Sequence, residues 1–231
     1  MYKTIMANQL FEVAGDYNSP KLKKLQALGA DLNLVDNRNR PVLQMSISGK
    51  KTVKASFRWL LKFTHLYSIL ETLAFVVRRQ QTEHQIAILK HLAIEYEGEL
   101  VRAIENILPA ISNECSVMYH TFSLELASMS QYLINGAFLK TLVKVEVDNS
   151  LGKDQFLCDF INKIDLEVLY PNLWSELVSN VKDCHTRQTK VLGAMPALCI
   201  LFGLENVKDG CVLGSICIYL SDDDLDALRA L

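Results

Sequence analysis

Cysteine and histidine stand side by side at Cys184-His185, and covalent chemistry would first be sought at that pair. A cysteine nucleophile needs a base within hydrogen-bond reach, a group to orient that base, and an oxyanion site. Consecutive helical residues project about 100° apart, so Cys184 and His185 do not pair with each other. Cys115 and His120 lack the remaining groups in any recognisable arrangement. His84 and His91 fall nearly on one helix face, but about 10 Å apart along the axis, too far to share an ion alone. Neither HExxH nor the spacing of an EF-hand occurs, and the glycine patterns of phosphate-binding loops are missing. The acidic run DDDLD at 222–226 has metal-ligand composition. It also follows Ser221, and carboxylates in a first helical turn complement the helix dipole, so a helix start is the reading adopted. No catalytic residue, metal or cofactor is expected.

The chain has 231 residues, half of them hydrophobic and 22% charged, which suits a folded globular protein of one or two domains. A formal net charge of −2 gives no global attraction to nucleic acid or to an anionic membrane. The cysteines at 115, 158, 184, 199, 211 and 217 form no CxxC pair and match no zinc spacing. Several lie among apolar neighbours, as buried free thiols do. The N-terminal MYKTIMANQLFEV lacks the apolar run of a secretory signal, so a reducing, cytoplasmic setting is expected. The apolar stretches at 191–204 and 211–220 are shorter than the roughly 20 residues that span a bilayer, so buried helices are expected and stable membrane insertion is not. Over 50–62, Lys50, Lys51, Lys54 and Arg58 occupy one helical face and Val53, Phe57, Leu60 and Leu61 another.

Helices must position whatever site exists. Leu66, Ile69, Leu70, Leu73, Val76 and Val77 recur at helical spacing. So do Ile86, Leu89, Ala93, Tyr96 and Leu100, and then Val101, Ile104, Ile107, Leu108 and Ile111. Alternation suited to a strand occurs only at 140–149. Asn18-Ser19-Pro20 predicts a helix start and Gly29 a helix end. Breaks are expected at Gly49, Pro109, Gly136, Gly152 and Pro171, a cap at Asp183 or Thr186, and a kink or split at Pro196. About a dozen helices result, and the fold class is all-α. The division expected is 1–139 and 140–231.

One stretch is more specific. LKKLQALGADLN at 22–33 resembles the second helix and outgoing loop of an ankyrin repeat, LLxxGADxN, and RPVLQMSISGK at 40–50 resembles the first helix of the next, TPLHxAAxxGH. Pro41, Ser46 and Gly49 fall in register with that pattern, while Arg40 replaces its threonine and Leu43 its histidine. LFEVAGDYN upstream and SQYLINGAF at 130–138 are weaker likenesses. The pattern has a physical reading. Leu22, Leu25 and Leu28 would pack the helix, Gly29 would end it in the left-handed region, and Asp31, Asn33, Asp36 and Asn37 suit polar turns.

The resemblance implies stacked helix-turn-helix repeats, an ankyrin-like solenoid with a helical C-terminal part, serving as a protein–protein interaction module. It points to Asn33, Asp36, Asn37, Arg38, Asn39 and Arg40 as partner-binding residues on a projecting hairpin. Asn33 also matches the site of asparaginyl hydroxylation in such repeats, with Leu25 eight residues upstream. Divergent repeats joined to a helical region resemble effectors that intracellular bacteria deliver into the host cytoplasm. The alternative is a Cys-dependent hydrolase or transferase in the C-terminal half, targeted by the repeats.

Overall fold

The computed structural model describes residues 2–47, 53–131, 133–134, 137–138, 143, 168, 170–201, 220 and 222–230, without the side chains of 2–5, 133–134, 137–138, 176, 181–185 and 188. In these residues the chain is mostly helical. Helix α1 spans Tyr2–Gly15 and α2 spans Ser19–Ala27. The side chain of Asn18 accepts from the backbone N–H of Lys21 at 3.1 Å, and Pro20 occupies the first turn, where its missing N–H costs nothing. Gly29 has φ +86°, and the N–H groups of Gly29 and Ala30 donate back to the carbonyls of Gln26 and Leu25, closing the last turn of α2.

Helices α3 (Val42–Met45), α4 (Ala55–Leu61), α5 (Leu66–Arg78), α6 (Thr82–Glu95), α7 (Glu99–Ile111) and α8 (Asn113–Met129) follow. Compact packing divides the chain into two units, 1–124 and 125–231, so the boundary falls inside α8. In the first unit α1 packs on α2 and α3, α3 on α4 and α5, and α5 on α6 and α7, while α2 packs on α4 and α4 on α6. Odd-numbered helices up to α7 thus touch in order as one rank, and even-numbered helices up to α6 as another.

Each helix contributes its apolar stripe to the space between the ranks. Leu10, Leu22, Leu43, Phe57, Leu60, Ile69, Leu73, Ile88, Leu89, Leu92 and Ile104 are fully buried. Burial of such side chains stabilises by about 1.5–3 kcal/mol each relative to exposure. The stripe of α5 lies as its spacing predicts, with Ile69, Leu70, Leu73 and Val76 buried. The stripe expected from Ile86 to Leu100 does not continue. Helix α6 ends at Glu95, Gly98 turns the chain at φ +63°, and Leu100 is exposed on α7. Leu28, expected in the core, is also exposed, because the chain has already left α2. Pro109 does not break α7, which continues two residues further to Ile111.

In the second unit α9 runs unbroken from Trp174 to Leu201, with Pro196 in its interior, so the expected split there does not occur. Asp183 and Thr186 lie within this helix rather than at a cap. The start of α9 is held instead by the Glu125 carboxylate on α8. It accepts from the Leu173 N–H at 3.1 Å and from the Asn172 N–H at 3.3 Å, and it also bonds the Asn172 amide side chain. An anion at a helix N-terminus satisfies donors that have no intrahelical partner.

Helix α10 (Asp222–Arg229) packs on α9, with Val191, Ala194, Leu198 and Leu225 buried between them. Two carboxylates of the 222–226 acidic run have cationic partners on α9: Asp222 meets Arg187 at 2.5 Å and Asp226 meets Lys190 at 2.6 Å. A short antiparallel pair joins β1 (Leu133–Ile134) to β2 (Ala137–Phe138). Of the alternating segment 140–149 only Val143 lies among the described residues, where it is helical and buried. Gly49, Gly136, Gly152, Ser221, Lys50 and Lys51 lie outside the described residues. No helix among the described residues is long and apolar enough to cross a membrane.

Candidate functional site

The hairpin between α2 and α3 is ordered by its own side chains. Val35 and Pro41 form an antiparallel bridge, with the Asp36 N–H donating to the Arg40 carbonyl at 3.0 Å and the Val42 N–H to the Leu34 carbonyl at 3.2 Å. At the reversal, one oxygen of Asp36 accepts from the backbone N–H groups of Arg38 at 2.8 Å and Arg40 at 2.9 Å. The other accepts from the Arg40 guanidinium, through Nε at 2.8 Å and Nη2 at 2.7 Å. Asn39 takes φ +56°, a left-handed conformation that asparagine tolerates better than most residues. Partial burial pushes the Asp36 carboxyl up. The bonds from the Arg40 side chain and from the backbone N–H groups of Arg40 and Arg38, with the Arg40 charge, outweigh that and hold it below the usual carboxylate value.

Asn33 is committed elsewhere. Its Nδ2 donates to the Phe63 carbonyl at 3.1 Å, and its Oδ1 accepts from the His65 N–H at 2.7 Å. The loop leaving α2 is thereby fastened to the turn joining α4 to α5, some thirty residues on. The backbone N–H of Asn33 is itself held by Asp31 at 2.9 Å. Replacing Asn33 with alanine leaves the Phe63 carbonyl and His65 N–H without this partner, and a loss of about 1–2 kcal/mol is expected. Urea unfolding measures that loss, and amide exchange at His65 should accelerate in parallel.

The six hairpin residues singled out by sequence therefore divide by role. Asn33, Asp36 and Arg40 are partly buried and internally bonded, whereas Asn37, Arg38 and Asn39 are exposed at the tip. Two clefts adjoin this tip. One of about 430 Å³ lies between Arg38, Asn39 and Arg40 of the hairpin and Glu71 and Arg78 of α5. A second, of about 270 Å³, is bounded by Arg40, Gln44, Met45, Ile47, Phe75 and Arg79. Arg79 lies over the Phe75 ring, 5.5 Å from its centroid.

Sequence reasoning did not connect Arg78 and Arg79 to the hairpin. Two cations in a last helical turn read as complements of the dipole, and only the packing of α5 on α3 brings them alongside. In the basic face expected over 50–62, Lys54 is partly buried at the α4 N-cap and Arg58 is exposed.

Cys115 is buried, and Gln85 Nε2 approaches its sulfur at 3.4 Å. Burial pushes its thiol up, away from the nucleophilic thiolate. Cys199 packs partly buried against the α9–α10 cluster. The side chains of Cys184 and His185, and all of Cys158, Cys211 and Cys217, lie outside the described residues. Among the described residues no three His, Cys, Asp or Glu side chains come together as a metal-binding group. Comparisons with protein-family models, curated proteins and solved structures find no match to this chain.

Proposed function

We propose that this chain is a non-enzymatic protein–protein interaction module, built on ankyrin-like helix pairs and presenting the 33–40 hairpin to a protein partner. The observation that carries this reading is the Asn33 amide, which ties one inter-helical loop to the next and fixes their spacing. The two ordered ranks of helices support it, since stacked pairs are how a solenoid builds a continuous binding surface. A tip whose polar backbone is already satisfied by Asp36 presents its outer side chains at low ordering cost, as preorganised recognition loops do.

The test is quantitative affinity capture with the wild-type chain, with Arg38→Glu and, as a control, with Arg102→Glu on α7. Arg40 is unsuited to charge reversal, because a glutamate there would face Asp36 and break the hairpin itself. Proteins held through the tip should fall by about fivefold or more with Arg38→Glu, the equivalent of about 1 kcal/mol, and should be retained by the control. Identical capture by both variants would remove the hairpin from the interface.

A further inference from the structure

Arg38, Arg78 and Arg79, like several other cations of the first unit, have no carboxylate partner among the described residues. Arg38 uses only its backbone N–H, toward Asp36. Arg78 spends one donor, its Nε, on the Ala74 carbonyl at 3.1 Å. Arg79 lies over Phe75. Of the two carboxylates nearby, Asp36 is paired with Arg40, while Glu71, which also lines the Arg38 cleft, accepts from the Tyr67 hydroxyl and keeps its charge, so the cations there outnumber it. Position in a last helical turn accounts for Arg78 and Arg79 separately. It does not account for Arg78 sharing a cleft with Arg38, which arrives from a different element, or for Arg79 lining the adjoining cleft, both of which expose Phe75.

We infer that these adjoining clefts bind an acidic peptide segment of the protein partner, its carboxylates on Arg38 and Arg78 and an apolar side chain beside Phe75, Met45 and Ile47. The inference rests on the interaction-module reading and adds the chemistry of the partner. Guanidinium groups match carboxylates in charge and in planar donor geometry. A guanidinium that lies on an aromatic ring can still donate from its edge. The chain as a whole is net negative, so attraction here is local and short-ranged, screened beyond about 10 Å at 0.1 M salt. That geometry favours a peptide over nucleic acid, which draws its affinity from cations spread along many successive phosphates.

The experiment is fluorescence anisotropy of the full chain with a short fluorescein-labelled Asp/Glu-rich peptide carrying interspersed leucines. The same peptide with Asn and Gln replacing its acids is the reference. Wild type should bind the acidic peptide, more weakly as salt rises, and should ignore the amide version. Arg38→Glu and Arg78→Glu should each weaken binding about fivefold or more, while Arg102→Glu leaves it unchanged. Arg38→Gln and Arg78→Gln replace the reversals if those lower the melting temperature.

Absence of binding by wild type, equal weakening by Arg102→Glu, or tighter binding of a single-stranded oligonucleotide of matched charge would overturn the inference. If Arg38-dependent protein capture persists while the acidic peptide fails, only the partner chemistry is wrong. If capture itself does not depend on Arg38, the reading beneath it fails too.

Discussion

Phe57→Ala destabilises the first unit by about 3–5 kcal/mol, as expected for removing a fully buried aromatic ring whose surroundings relax only in part. Phe57 lies on α4, which packs against α2, α3 and α6, so the vacancy faces several elements at once. Its ring meets the His84 imidazole edge-on, with centroids 4.9 Å apart. His84 is itself fully buried, and neither ring nitrogen has a hydrogen-bond partner. An unsatisfied polar ring is tolerable in an apolar site only while it stays neutral. Burial accordingly holds the His84 pKa below its ordinary value of 6.5, despite the opposing charge of Glu83. Truncating Phe57 opens space beside those nitrogens, so His84 should titrate closer to 6.5 in the variant. Urea unfolding gives the first number and proton NMR of the imidazole the second. A loss below about 1 kcal/mol would mean that Phe57 is not packed as described.

Acid weakens the first unit well before its carboxylates titrate. Burial, aided by the Lys62 charge, lowers the His91 pKa from 6.5 to about 4. His84 is displaced in the same direction. Above pH 6.5 both histidines are neutral, folded or unfolded, and contribute no pH dependence. Between pH 6.5 and 4 the unfolded chain takes up protons that the folded one refuses, so stability falls as pH falls. The slope approaches about 1.4 kcal/mol per pH unit for His91, which accounts for about 3 kcal/mol by pH 4, and His84 adds to the loss in the same direction. Asp36 extends the decline. Its folded carboxyl titrates below the ordinary 3.8, so its contribution, present above that value, is lost as pH drops through the folded pKa. Urea midpoints measured from neutral pH to pH 4 should decrease throughout, and His91→Phe should flatten the upper part of the curve. Equal midpoints at pH 7 and pH 5 would contradict the lowered pKa values of both rings.

Features that depend on adjacent residues could be read directly from the sequence. Asn18 with Pro20, and Gly29 after a leucine-rich helix, work through bonds that span three to five residues, and the chain uses them as expected. The α5 stripe is legible for the same reason. Periodicity failed where it was carried across a break: Ile86 and Leu100 share a 3.6-residue phase that Gly98 interrupts. The capping of α9 was hidden because Glu125 lies 47 residues from Asn172, and no spacing rule reaches that far. Pro196 removes one backbone donor from a helix of 28 residues, a local defect that the remaining hydrogen bonds and the packing of α10 absorb. Within the candidate site, polar turn residues marked the hairpin, but its division into bonded and exposed members depends on contacts with Phe63 and His65. The cleft on α5 required the fold itself. His84 did carry a signal, since it lies four residues before Ile88 on the buried face of α6.

The Asp36–Arg40 latch has an evolutionary consequence. Because the turn is closed by a carboxylate, a guanidinium and main-chain donors, residues 37 and 38 can change identity without loosening the frame, while position 39 keeps only its need for a left-handed backbone. Descendants of this chain can therefore vary the apex through single substitutions, with little penalty to folding along the way.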